Sequence, residues 1–305
     1  MEKTYVKAGN IHPVKIAFSI PVSPDKTIDR FVYAYVVDSD RLCLIDTGVA
    51  GAEETISTAL QKLGKDLSDI DIIILTHSHP DHIGSASLIQ HKSGAQVWAH
   101  RNEQVWIENT EQQGRERPVP GFAKLVSGSV RINRLLSDGD ILSFGKNSTF
   151  KVLQTPGHSS GSISLLSEEN GVLFCGDVIP QAGGMPIYED VSALASSLAR
   201  LAEIENLTAL YSSWMAPLYG QGAVDAIYTG IQYLKTIHTV VMKVYSELNN
   251  PDPMVLCKRC VQMLELPPFA VNPLVARSLI AHTEDTAQSA LNSILAPFFP
   301  GGGNA

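Results

Sequence analysis

The sequence predicts an α/β protein in which helices cover a β-sheet. Short β-branched and apolar runs alternate with segments of helical periodicity as far as Ala99, and this order of strand, helix, strand, helix, strand is typical of such sheets. Strand-like runs resume after residue 148, and helical segments alone close the chain. The 305 residues are enough for one core of about 200 residues and an appendage.

The elements of the first hundred residues are predicted from hydrophobic periodicity and from the turn residues between them. Asp46-Thr47-Gly48 follows one strand directly, and Gly64 and Gly94 are expected to end two helices. The second helix is expected to begin within the polar stretch from Thr76 to His82. The predicted strands cover residues 31–37, 41–45, 72–75 and 96–99, and the helices cover 52–63 and the residues up to 92.

The segment 111–128 is polar and contains several prolines and glycines, so we predict a loop over the core, of the kind that often carries specificity. Beyond it, strands are predicted over 149–154, 162–166, 172–175 and 208–211, with one helix marked by Leu194, Leu198 and Leu201. Three helices follow, over 224–248, 254–266 and 273–295. We predict a main domain over 1–222 and a helical region over 223–305, whose glycine-rich tail after Pro300 is expected to be disordered.

Composition narrows the classes of partner. The formal net charge is −8, which disfavours binding to a phosphate backbone, and no apolar run reaches the roughly 18 residues of a membrane span. The start of the chain lacks the pattern of a secretory signal. We therefore expect a soluble, cytoplasmic protein that acts on a small molecule, with neither nucleic acid nor membrane as partner. A homodimer is left open.

The cysteines are expected to be structural. Cys43 and Cys175 lie in apolar runs and are predicted to be buried. Cys257 and Cys260 form a Cys-x-x-Cys pair, but the sequence offers no second pair or nearby histidine pair for a metal knuckle. We therefore interpret them as two thiols on one helical turn.

The densest group of potential metal ligands is His77-x-His79-x-Asp81-His82, which follows a predicted strand directly. Imidazole and carboxylate groups bind borderline divalent metals such as zinc. A lone loop histidine is usually solvated or hydrogen-bonded, but four candidate ligands within six residues are difficult to explain structurally. This stretch predicts a metal site.

Two later turns each present one candidate ligand. Thr155-Pro156-Gly157 turns the chain and presents His158, and Gly176 is followed by Asp177 directly after an apolar strand. Taken alone, a turn histidine is commonly structural, and an aspartate in this position is more often a turn residue. Their order and spacing after the histidine-rich stretch make His158 and Asp177 stronger candidates for metal ligands.

Together these motifs resemble the metallo-β-lactamase superfamily, in particular its glyoxalase II-like members with an HxHxDH motif. The resemblance covers about residues 15 to 220, with the Asp-Thr-Gly turn, the HxHxDH stretch, the Gly-His turn and the Gly-Asp turn in the family's order. It implies a four-layer αβ/βα sandwich with the site at one edge. It also implies one metal at His77, His79 and His158, a second at Asp81 and His82, Asp177 as the bridge, and Asp46 as a residue that orients the ligands.

The sequence departs from the family pattern at one ligand. The family usually has a further histidine after a late strand, where this chain has Trp214, and a tryptophan cannot ligate a metal. Either the second metal site is weakened or another histidine replaces the missing one. His282 is our candidate, because Leu274, Ser278 and His282 share one helical face, although a surface histidine fits equally well. His238 lies in the middle of a predicted helix among apolar residues and is expected to be a packing residue.

The site that the resemblance implies supports hydrolysis by a metal-bound hydroxide. Two divalent ions, zinc or else iron or manganese, lower the pKa of bound water toward neutrality. Asp81, a ligand that can accept a proton, is the expected acid/base group, and an ester, thioester, lactone or amide would serve as substrate. Two alternatives stay open. One is a sulfur dioxygenase with a single iron at His77, His79 and His158 or a nearby subset, and the other is a non-catalytic ligand-binding protein, suggested by Trp214.

Overall fold

The computed structural model describes residues 10–23, 26–146 and 148–298, and the predicted disordered tail lies outside them. The strands are β1 (Ile11–Ser23), β2 (Lys26–Val37), β3 (Leu42–Ile45), β4 (Ile70–Leu75), β5 (Gln96–His100), β6 (Arg134–Leu136), β7 (Ile141–Ser143), β8 (Thr149–Gln154), β9 (Ile163–Ser167), β10 (Val172–Gly176), β11 (Ala209–Ser212) and β12 (Leu218–Tyr219). The helices are α1 (Glu53–Gln61), α2 (Pro80–Ile83), α3 (Ala86–Ser93), α4 (Gln104–Glu108), α5 (Thr110–Glu116), α6 (Phe122–Leu125), α7 (Val191–Ala202), α8 (Gln221–Leu248), α9 (Pro253–Met263), α10 (Pro273–Ile280) and α11 (Asp285–Leu295).

The strands form two six-stranded sheets, in the orders β1-β2-β3-β4-β5-β6 and β12-β11-β10-β9-β8-β7. In the first sheet β3 to β6 are parallel, and the long β1-β2 hairpin is antiparallel. In the second sheet β10 and β11 pair in parallel, and the other neighbouring strands that the structure describes pair antiparallel. The parallel strands β3 and β4 end at the same edge, which brings the residues that follow them together.

The chain divides into two compact units. Within the described residues, the first unit comprises the chain up to Gln154, Gly161–Gly176 and Asn206–Gly220, and therefore both sheets with α1 to α6. The second unit comprises Thr155–Ser160, Asp177–Glu205 and the residues from Gln221 onward, and therefore α7 to α11. The predicted domain division at residue 222 stays a prediction.

The core of the first unit explains its apolar strands. In β3, Leu42 and Leu44 pack with residues of α1 and α3, whereas Cys43 and Ile45 pack in a second cluster with residues of β8, β9 and β10. Successive side chains of a strand point to opposite faces, so a continuous apolar run corresponds to a strand that is buried on both sides. The buried state of Cys43 and Cys175 agrees with the sequence-based expectation.

The second unit has its own apolar core, formed by residues of α8, α9 and α10. Cys257 and Cys260 are free thiols within it, and burial raises the pKa of Cys260 to about 12. Their position agrees with two packed thiols on one helical turn. Among the helices that the structure describes, none is long and apolar enough to cross a membrane.

Two sequence-based expectations about the elements are wrong in detail, and one long strand was not predicted. The segment 111–128 is not a continuous loop, because most of α5 and all of α6 fall in it. The Asn109 side chain caps α5 by accepting from the backbone N–H of Gln112 at 3.0 Å. The single helix expected over 273–295 is interrupted by a turn at Ala281–Thr283. Strand β1, which contains Pro13 and Pro21, was not predicted.

Candidate metal centre

The first half of the candidate site lies at the carboxyl ends of β3 and β4. β3 continues into Asp46-Thr47-Gly48, and β4 continues into Thr76 and the HxHxDH stretch. Asp46 is buried and has φ of +58°, a conformation that a short polar side chain tolerates better than most. The parallel pairing of Ile45 with Ile74 places the two segments side by side.

Each residue of the Asp46-Thr47-Gly48 turn binds the histidine-rich segment. The Asp46 carboxylate accepts from the backbone N–H and the hydroxyl of Thr76, both at 2.8 Å, and lies 2.8 Å from His82 Nδ1. The backbone N–H and the hydroxyl of Thr47 both donate to the His82 carbonyl at 2.8 Å. The Gly48 carbonyl accepts from the N–H of Gly84 at 2.8 Å. The turn therefore fixes both ends of the HxHxDH stretch.

The HxHxDH stretch folds so that its four candidate ligands lie close together. His79 is the N-cap of the short helix α2, which begins at Pro80, a residue favoured in the first turn. The His77 ring centroid lies 4.6 Å from that of His79 and 4.0 Å from that of His82. Asp81 Oδ2 lies 3.9 Å from His82 Nε2. His77 and His82 are buried, and His79 and Asp81 are partly exposed.

Hydrogen bonds fix which ring nitrogen carries a proton in two of these histidines. The Asp46 carboxylate can only accept, so His82 Nδ1 carries the proton. The hydroxyl of Thr76 donates its single hydrogen to Asp46, so it accepts from His77 Nδ1, 3.1 Å away. In both neutral rings Nε2 is then the basic nitrogen, which is the arrangement of metal-bound histidines held by a carboxylate or hydroxyl partner.

His158 and Asp177 supply the second half of the candidate site. His158 Nδ1 donates to the Ile187 carbonyl at 2.7 Å, so Nε2 is again the basic nitrogen, and it lies 3.3 Å from Asp177 Oδ2. Gly157 has φ of +126°, and a Cβ there would overlap the backbone of Leu194. The Gly157 carbonyl accepts from the N–H groups of residues 189 and 190 at 2.7 and 3.1 Å. The glycine thus permits the tight turn that presents His158.

The chain contains a His/Asp cluster able to bind metal ions. Each of two sets of side chains has its potential ligand atoms within 4.8 Å of one another, and Asp177 belongs to both: His77, His79, His158 and Asp177, and Asp81, His82 and Asp177. Imidazole and carboxylate donors of this kind fit a borderline divalent metal. The donor chemistry and the Nδ1–H tautomers of three histidines, which present Nε2 as the ligand atom, therefore both fit a metal centre.

His282 is in neither ligand set. Its Nε2 lies 2.5 Å from the Tyr188 hydroxyl, and its Nδ1 lies 3.2 Å from His238 Nδ1. Ser278, on the same face, donates to the Tyr188 carbonyl at 2.7 Å and accepts from its N–H at 2.9 Å. Ser278 and His282 are buried, as predicted for the helical face that they share, but both contact Tyr188.

Trp214 lies just beyond β11, and its ring packs against neighbouring side chains. The Arg30 guanidinium carbon lies 4.5 Å from its ring centroid, and the Phe31 centroid is 6.4 Å away. This position, where the family pattern has a histidine, therefore holds an aromatic group in contact with a cation and a second ring.

Three groups that support the ligands were not identified in the sequence. From the sequence, Thr76 is predicted only as part of the loop. Its position directly before His77 is the one local feature that indicates a role in holding the ligands. Ile187 contributes its backbone carbonyl, so its residue type gives no indication of this role. Glu103 is fully buried and accepts hydrogen bonds from Ser78, between His77 and His79. Only the folded structure brings Glu103 to that loop.

The chain belongs to the metallo-beta-lactamase superfamily, whose family model matches residues 27–213. The match spans all six side chains of the two ligand sets. The family and the α/β sandwich fold expected from the sequence are thereby confirmed.

Individual relatives are similar over part of the chain. The hydroxyacylglutathione hydrolase GloC of Haemophilus influenzae is 28% identical over 148 residues, which are 48% of this chain and 65% of GloC. The probable metallo-hydrolase YqgX of Bacillus subtilis is 32% identical over 152 residues, which are 49% of this chain and 67% of YqgX. The match thus covers slightly less than two thirds of GloC.

Among solved structures, a metallo-beta-lactamase family protein from Thermus thermophilus is similar with a TM-score of 0.72 and 20% identity. The similarity covers 92% of this chain and 94% of that chain. At this level of identity the similarity establishes the fold.

Proposed function

We propose that the protein is a hydrolase that uses two divalent metal ions held by the His/Asp cluster. The membership of Asp177 in both ligand sets carries this proposal. A carboxylate has two oxygens and can offer one to each of two cations. In the proposed arrangement one ion is held by His77, His79 and His158, and the other by Asp81 and His82.

The two positions differ in their protein donors. Three imidazoles with a shared carboxylate make a site typical of zinc, and iron or manganese fits the same donors. The second set has one imidazole and two carboxylates, and Trp214 adds no ligand. We therefore propose that the ion at Asp81 and His82 is bound more weakly.

When bound, two such ions provide hydroxide near neutral pH and polarise the carbonyl that is attacked. Asp81 is the proposed proton acceptor and donor, because its side chain is 18% exposed and borders His82. Asp46, Thr76 and the Ile187 carbonyl hold the three rings in one tautomer. These residues fix which nitrogen of each ring carries the proton, and they orient Nε2 as the ligand atom.

We propose a thioester of a small acid as the first substrate class to test, ahead of esters, lactones and amides. GloC, the relative described above, is named as a hydroxyacylglutathione hydrolase, and such an enzyme cleaves a thioester. The net charge of −8 favours a small-molecule partner over nucleic acid. Neither a membrane nor a second protein is required by this chemistry.

The test is turnover of a 2-hydroxyacyl thioester of glutathione, beside an aryl ester, a lactone and a β-lactam, by protein of known metal content. Turnover is expected to disappear with chelation, to return with zinc, iron or manganese, and to be lost in His79→Ala. His91→Ala, which changes an exposed histidine of α3, is the matched control. Turnover that persists in metal-free protein, or oxygen uptake in place of hydrolysis, would contradict the proposal.

A further inference from the structure

A buried carboxylate connects the loop of His77 and His79 to the chain that follows His158. Glu103 lies in a 3-10 turn directly after β5 and is fully buried. Its Oε2 accepts from the N–H of Ser78 at 3.0 Å and from the Ser78 hydroxyl. Its Oε1 accepts from the N–H of Gly161 at 2.6 Å. Ser78 lies between two candidate ligands, and Gly161 lies three residues after a third.

All the polar groups of Ser78 are engaged by side chains from one region. Glu103 accepts from its N–H and hydroxyl, Gln113 donates to its carbonyl, and Arg117 Nη1 donates to its hydroxyl at 3.2 Å. Arg117 also lies 3.9 Å from Glu103 Oε2, and its guanidinium carbon lies 3.5 Å from the Trp106 ring centroid. Side chains of residues 103–117 therefore hold the backbone between His77 and His79.

Gly161 is adapted to this carboxylate. A Cβ at this position would lie 2.7 Å from Cγ and 2.8 Å from Oε1 of Glu103, closer than nonbonded heavy atoms normally approach. A glycine therefore allows the carboxylate to reach the backbone N–H.

We propose that Glu103 is a positioning residue of the metal centre. One carboxylate holds both ligand-bearing loops, through Ser78 and Gly161, and so sets the spacing of the imidazoles before a metal binds. A carboxylate is suited to this position because both of its oxygens accept hydrogen bonds, whereas an amide accepts at only one end. The inference rests on the proposed metal site, but it concerns metal binding and is independent of the substrate.

The test is the metal affinity of Glu103→Gln, measured by competition with a chromophoric chelator for zinc. Its amide nitrogen faces either the donors of Ser78 or the N–H of Gly161, so we expect affinity to fall about tenfold or more. The visible spectrum of the cobalt-substituted protein is expected to change, because the ligand geometry changes. Glu108→Gln is the matched control, since Glu108 accepts from the Ile132 N–H and the Gln104 side chain, and these two residues lie in neither ligand loop.

Gly161→Ala provides an independent variant, because its methyl group displaces the same carboxylate. It is expected to reproduce the loss seen in Glu103→Gln, and the double variant is expected to lose little more, since both changes break one link. Gly222→Ala, with no atom within 4 Å of the added Cβ, is its control. Ser78→Ala keeps the backbone bond to Glu103 and is expected to fold with a smaller loss.

Wild-type zinc affinity and an unchanged cobalt spectrum in folded Glu103→Gln or Gly161→Ala would overturn the positioning role. If Glu103→Gln and Gly161→Ala do not fold, Ser78→Ala decides, and wild-type affinity in that variant overturns the role. If the unaltered protein binds no metal, the proposed function itself fails, so the two failures are distinguishable.

Discussion

Asp46 Oδ2 lies 2.8 Å from His82 Nδ1, and the same carboxylate binds the N–H and the hydroxyl of Thr76. One side chain thus faces three donors. It fixes the tautomer of His82 directly and that of His77 through the Thr76 hydroxyl. The side chain after β3 thereby controls two candidate ligands that follow β4.

Asp46→Asn is expected to weaken metal binding about tenfold or more. The amide places a donor opposite donors, so either the bond to Thr76 is lost or His82 changes tautomer and presents a protonated Nε2. Metal content after dialysis against a weak chelator measures the effect. Asp71→Asn is the control, because the exposed Asp71 accepts from the N–H of Leu42. Equal metal retention in both variants would show that Asp46 does not orient the ligands.

Asp177→Asn is expected to lose more than half of the second metal ion while the fold is retained. The amide keeps the shape but removes the negative charge that offsets two cations, and ligand loss costs about tenfold or more in affinity. The metal-to-protein ratio at limiting metal concentration measures this loss. Asp225→Asn, at an exposed position, is the control. Unchanged stoichiometry together with unchanged activity would refute the bridging role.

Ser278→Ala is expected to act at a distance on His158. It leaves the buried N–H of Tyr188 without its acceptor, which costs about 1–3 kcal/mol of unfolding free energy. Because Tyr188 follows Ile187, whose carbonyl holds His158 Nδ1, metal affinity should also fall, by roughly tenfold. Ser246→Ala, which removes an exposed bond to the Lys243 carbonyl, is the control. A loss of stability with full metal affinity would limit Ser278 to a packing role.

The stability of the protein should depend on His282 at acidic pH. Burial, and to a lesser extent His238, lowers the pKa of His282 from 6.5 to about 3. The unfolded chain therefore binds this proton first, so the contribution is fully present above about pH 6.5 and is lost as the pH falls. At pH 5 the loss is about 2 kcal/mol.

The pH effect is measured as the difference between unfolding free energies at pH 7 and pH 5. His282→Gln should lack the part due to this imidazole, so its pH dependence should be weaker by about 2 kcal/mol. His91→Gln, at an exposed position, should behave as the unaltered protein does. Identical pH dependence in all three proteins would show that His282 does not titrate in this way.

Candidate ligands could be identified from the sequence where several of them lie close together in it. Four potential ligands occur within the six residues from His77 to His82, and the strand before them shows its apolar run directly. His158 and Asp177 needed the order of motifs, because a single turn residue carries little information. Helical spacing predicted that Ser278 and His282 share a face that turns inward. It could not predict their contact with Tyr188, which is 94 residues from His282 in the sequence.

The remaining features depend on contacts between distant segments. Glu103 lies 25 residues from Ser78 and 58 from Gly161, and no local pattern marks a glutamate as a buried acceptor. The segment after Asn109 was predicted as a loop because of its polarity and its glycines. The structure makes α5 there, with Gly114 in its interior, where a Cβ would lie 3.0 Å from the Phe122 ring. Tertiary packing thus decides a helix that local propensity disfavours.

The metal centre is tested most directly by the metal-to-protein ratio of the unaltered protein and of the His77→Ala/His79→Ala double variant, determined by mass spectrometry after purification without chelator. About two ions per chain are expected in the unaltered protein. In the double variant almost none are expected, with circular dichroism unchanged. A double variant that keeps the full metal complement would contradict the assignment of the metal centre to the His/Asp cluster.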